Sequence, residues 1–71
     1  MRREKSARID RIKLAVEAAR HDMNMSDIAE KAGLSRGLVS NVRRGCSCRQ
    51  STAQRIADAL GVELETILET K

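Results

Sequence analysis

Apolar residues recur along this chain at intervals of three and four, and each run is bracketed by residues that start or stop helices. Ile9, Ile12, Val16 and Ala19, with Ala15 beside them, predict a first helix over about 7–21 with this stripe turned to the core. Ser6 stands where an N-cap is needed, and Lys13, Glu17 and Arg20 fall on the opposite face. Arg20 and His21 place positive charge at the helix C-terminus, where the macrodipole favours it.

The next segment is signalled more sharply. Asn24 is followed three residues later by Asp27, a variant of the capping box, and Met23 and Ile28 are spaced as a hydrophobic staple. A second helix is expected over about 25–32, with Ile28, Ala29 and Ala32 inward and Gly33 as its left-handed end. Ser35 caps a third helix, Leu34 staples to Val39, Val39 and Val42 face the core, and Gly45 ends it. After a Cys46-Ser47 loop, a fourth helix is expected over about 49–60, with Thr52, Ile56, Ala57 and Leu60 inward and Gly61 at its end. A short fifth helix over about 63–69 uses Leu64, Ile67 and Leu68, to close the core or to contact a second copy. The expectation is an all-α, five-helix domain over 7–71, preceded by a flexible basic arm over 1–6.

The second and third helices form a helix-turn-helix. Two helices cross steeply only where small side chains let them touch, which Ala29 allows. Gly33 lets the backbone reverse without steric cost. With Leu34, Val39 and Val42 anchoring the third helix from behind, its opposite side is left free, and an arginine stands near each end. A helix so presented fits the major groove of DNA.

Charge strengthens that reading. The formal net charge is +4, but segment 35–55 carries Arg36, Arg43, Arg44, Arg49 and Arg55 with no acid, while 56–71 is acidic on balance. A polyanion is therefore expected to meet the arm and the 35–55 segment. The chain contains no Phe, Trp or Tyr, so the core is aliphatic and the stacking platforms that suit single-stranded RNA are missing. No apolar run is long enough for a membrane span, and no apolar stretch follows the basic N-terminus as in a secretory leader. A cytoplasmic, nucleoid-associated protein is expected, with thiols at Cys46 and Cys48. A Cys-Ser-Cys with one distant histidine is a poor zinc site, and no nucleophile–histidine–acid set can be assembled. Cys48 is expected to pack at the start of the fourth helix. No metal, cofactor, small-molecule ligand or catalysis is expected.

Ala29, Gly33, Val39 and Val42, with the downstream Arg55-Ile-Ala-Asp-Ala-Leu-Gly-Val-Glu-Leu segment, resemble the lambda-repressor/Cro-like (XRE-type) helix-turn-helix regulators over roughly residues 9–68. The resemblance implies sequence-specific binding to double-stranded DNA, as a homodimer on a palindromic operator, by a small Cro-type repressor of phage or bacterial origin. It implies base contacts from Arg36, Gly37, Ser40 and Asn41. Chemically, Arg36 suits guanine O6 and N7, and Asn41 suits adenine. Gly37 departs from the family pattern, since a side chain that often reads a base is missing; it permits close approach of the backbone, or is simply tolerated, or marks fraying of the first turn. Phosphate contacts are expected from Asn24, Met25, Ser35 and Ser47 at helix N-termini and loops, and from Arg43, Arg44 and Arg49, with Arg2, Arg3 and Lys5 wrapping the arm along a groove. The alternative is an antitoxin- or antirepressor-like module that uses the same fold to grip a protein.

Overall fold

The computed structural model describes residues 6–69. Five helices lie within them: α1 (Arg11–Arg20), α2 (Met25–Ala32), α3 (Arg36–Arg43), α4 (Gln50–Leu60) and α5 (Leu64–Ile67). Two-residue strands, β1 (Ser6–Ala7) and β2 (Cys48–Arg49), pair antiparallel with Ser6 opposite Arg49 and Ala7 opposite Cys48. None of these helices is long and apolar enough to cross a membrane.

The capping residues behave as the sequence predicts in the middle of the chain. Asn24 Oδ1 accepts from the Asp27 N–H at 2.8 Å and Asp27 Oδ2 from the Asn24 N–H at 3.1 Å, completing the capping box of α2. Gly33 takes φ 71° at the α2 C-terminus, and the Leu34 N–H reaches back to the Ala29 carbonyl at 2.9 Å. A side chain at that φ would be strained, so glycine is what lets α3 follow α2 so closely. Ser35 Oγ accepts from the Leu38 N–H at 3.1 Å and starts α3. Gly61 closes α4 as Gly33 closes α2.

The first helix differs from expectation. It starts at Arg11, capped by Asp10, whose Oδ1 accepts from the N–H groups of Ile12 and Lys13. Ser6 is in β1 instead of capping a helix, and Ile9 is buried in a bridge to Leu68. The buried face of α1 is Leu14, Glu17 and Ala18, while Ile12 and Val16 are 67% and 48% exposed. The expected stripe of Ile12, Val16 and Ala19 therefore points away from the core. Burial of Glu17 is tolerable because it has cationic neighbours: Arg20 Nη1 at 3.3 Å and, when protonated, His21 Nε2 at 3.7 Å.

The core is aliphatic: Ile9, Leu14, Ile28, Val39, Val42, Ile56 and Ile67 are fully buried, with Ala29, Ala53 and Ala57 letting helices approach. On α4 Ala53 and Ala57 are fully buried, and Thr52, expected inward, is only half-buried. Helix α5 is shorter than expected and buries Ile67, with Leu64 and Leu68 packed against the core's edge. Residues 8–13 and 67–69 are tied together there. The Asp10 N–H donates to the Ile67 carbonyl, the Glu69 N–H to the Arg8 carbonyl, and Lys13 Nζ to the Leu68 carbonyl at 3.0 Å.

Candidate nucleic-acid interface

Helix α3 has two unlike faces. Val39 and Val42 are fully buried, with Leu38 half-buried beside them. At about 100° per residue the opposite side carries Gly37, Ser40 and Arg44, flanked by Arg36, Asn41 and Arg43. All six are exposed. Among the described residues the side chains of Arg36, Ser40 and Asn41 make no hydrogen bond or ion pair, so their polar ends are available to a ligand.

Gly37 lies centrally on this face. A Cβ built there meets no atom within 4 Å, and its φ is not positive, so neither packing nor backbone geometry calls for glycine. Gly37→Ala is expected to raise thermal stability, by up to about 1 kcal/mol, since alanine is the better helix former. If the bare backbone is used for close approach to DNA, the same variant loses affinity despite its greater stability; a melt and a binding titration on one sample separate the two effects.

The expected phosphate-contacting groups are distributed around α3 at three places. Asn24 and Met25 form the start of α2, where the capping box uses Asn24 Oδ1 and puts the Asp27 carboxylate at the helix N-terminus. That carboxylate opposes a second anion, so the α2 start is less suited to a phosphate than a helix end without an acid. At the start of α4, Arg49 is the N-cap, makes no side-chain bond to the first amides, and no acid stands in the first turn. Positive helix-end charge and a guanidinium coincide there. Ser47, exposed, lies in the preceding loop; Ser35, also exposed, spends its hydroxyl on capping α3. Arg2, Arg3 and Lys5 lie outside the described residues. Arg55, counted with the basic segment, is elsewhere: its guanidinium lies over the α2–α3 turn, with Nη1 3.9 Å from a Cβ built at Gly33.

The two cysteines do different things. Cys46 is exposed, whereas Cys48 is half-buried against the core at the start of α4, as expected. Burial pushes the Cys48 thiol up, partly offset by a hydrogen bond with the Ala53 backbone, which makes it a poor nucleophile. Sequence reasoning missed the β1–β2 pairing, which fixes Cys48 and Arg49 and sets Ser6 beside Arg49. It also missed a groove between α1 and α3, of about 730 Å³, running along the outward side of α1.

Comparison with known proteins agrees with this architecture. Among solved structures, the chain is similar to PhpD with cadmium complexed with hydroethylphosphonate, at 25% identity and a TM-score of 0.75, and to native PhpD with cadmium atoms, at 25% and 0.76. Each alignment covers 89% of this chain but only 14% of PhpD. No curated protein matches. The family model for the Cro/C1-type helix-turn-helix DNA-binding domain matches residues 13–71, a span that includes all five helices save the first two residues of α1. The chain belongs to the Cro/C1-type helix-turn-helix DNA-binding domains.

Proposed function

We propose that this chain is a small Cro-type repressor that binds a palindromic operator as a homodimer and occludes a promoter, working in the cytoplasm at the nucleoid. The observation that supports it best is α3, fixed from behind by Val39 and Val42 and offering unpaired Arg36, Ser40 and Asn41 outward. Arg36 donates two parallel hydrogen bonds to guanine O6 and N7, Asn41 pairs with adenine, and Ser40 takes either partner. Gly37 lets the helix lie close against the groove. Arg43, Arg44, Arg49 and Ser47 hold phosphates on one side, and Asn24, Met25 and Ser35 on the other, with the α4 N-terminus as the stronger anchor. Arg2, Arg3 and Lys5, which precede the described residues, add basic charge that suits a DNA groove.

The family is a DNA-binding one, and the proposed role is binding and not catalysis. Among the described residues no group of three His, Cys, Asp or Glu comes together as metal ligands. Selection of binding sites from random duplex DNA tests the proposal. A palindromic consensus with half-sites about one helical turn apart, roughly 34 Å, is expected; no enrichment would refute it. Arg49→Ala is expected to weaken operator and random duplex alike and to lower the slope of log affinity against log salt by about one unit. A loss confined to the operator would show that Arg49 reads bases instead.

A further inference from the structure

Helix α1 is apolar on both sides. Its core side is Leu14, Glu17 and Ala18; its outward side is Ile12, Ala15, Val16 and Ala19. The acid is inside and the β-branched hydrophobes are outside, the reverse of what an isolated soluble domain needs. Exposed single hydrophobes are commonplace, but here they line one continuous groove. Its rim is cationic: Arg11 on α1, and Arg43 and Arg44 beside Ser40 on α3, with no acid among the described lining residues.

We propose that this groove is a docking site for an acidic amphipathic helix of a partner protein, its leucine-like stripe lying on Ile12 and Val16 and its carboxylates facing Arg11, Arg43 and Arg44. A nucleic acid backbone could use the arginines of the rim but would leave the apolar floor of Ile12, Ala15, Val16 and Ala19 unmatched, whereas an amphipathic helix matches both. A second copy of this chain is disfavoured by charge and by shape. A symmetric α1–α1 contact sets the same three arginines against one another. The acidic C-terminal region has no free stripe to offer: α5 is four residues long, buries Ile67, and packs Leu64 and Leu68 on its own core. A helix laid in an apolar groove through residues three and four apart, with complementary charge at the rim, is a common mode of peptide capture. Small Ala15 and Ala19 let such a helix come close. Arg43 and Arg44 are also the proposed phosphate contacts, so occupancy of the groove and of DNA would be mutually exclusive, and the partner would act as an antirepressor. The docking itself depends on the groove and not on DNA binding.

The test uses the full chain without DNA. The probe is a capped sixteen-residue helical peptide with leucines at three- and four-residue spacing and glutamates flanking them; the controls are the same peptide with lysines for glutamates, and a scrambled sequence. Titration by fluorescence anisotropy, with amide chemical shifts, is expected to show saturable binding of the acidic peptide alone and shifts centred on residues 12–19 and 40–44. Ile12→Ser with Val16→Ser is expected to weaken it at least about tenfold. Arg43→Glu with Arg44→Glu is expected to transfer preference to the lysine peptide. Both pairs lie at exposed positions, so an unchanged melting temperature certifies the fold. Absence of binding, equal binding of all three peptides, shifts outside the groove, or self-association abolished by the Ile12 and Val16 changes would each overturn the proposal.

Discussion

Arg36→Ala is expected to narrow sharply the difference in affinity between a selected operator and random duplex. Arg36 is the first residue of α3, exposed and without a side-chain partner among the described residues. Truncation therefore costs the fold little and falls on the bound state. A bidentate arginine–guanine pair is worth roughly 1–3 kcal/mol of discrimination, so operator affinity should drop roughly five- to 150-fold per site. Random duplex should weaken only by the small electrostatic share of one cation. The measurement is paired anisotropy titration on both duplexes at one salt concentration. Equal losses on the two would assign Arg36 to phosphate, and no loss would remove it from the interface.

Ile56→Ala has the largest expected effect on stability. Ile56 is fully buried on α4, the helix that makes its most extensive contact with α2 and so holds the helix-turn-helix in place. Replacing a buried isoleucine by alanine costs roughly 2–5 kcal/mol. A domain of this length holds only roughly 4–11 kcal/mol in total. The variant is thus expected to melt at least about 10 °C lower, and to lose DNA binding at temperatures where the parent is folded. Gln54→Ala is the control on the same helix. Gln54 is exposed and donates only to Asp58 at 2.9 Å, so its loss should stay within about 0.5 kcal/mol. Thermal denaturation followed by circular dichroism decides between them.

Legibility varied along the chain for physical reasons. Where a local hydrogen bond sets the structure, the residue types announce it: Asn24 with Asp27, Ser35, Gly33 and Gly61 mark helix ends that lie where they were expected. The inner face of α3 was legible too, because Val39 and Val42 are its only β-branched residues and both are buried. Helix α1 was misread because periodicity cannot choose between two apolar stripes on one helix. Ile12, Val16 and Ala19 outweigh Leu14 and Ala18 by count, yet the core takes the latter pair together with Glu17. What decides is tertiary: Lys13 is drawn to the Leu68 carbonyl, and Ile9 pairs with Leu68, which fixes the rotation of α1 on the core. Strands of two residues carry no period, so β1 and β2 could not be seen at all. Likewise the candidate base-reading face follows from one helix and was accessible to pattern, whereas the groove joins α1 to α3 and is a product of packing.

Whether α3 is the face that meets DNA is decided by the amide chemical-shift map of the full chain on adding a selected operator duplex. The largest changes are expected at Arg36, Gly37, Ser40 and Asn41, with a second group at the start of α4 around Arg49, and little at α5. Changes concentrated on the outward face of α1, or spread evenly with none at Arg36 and Asn41, would contradict that role for α3.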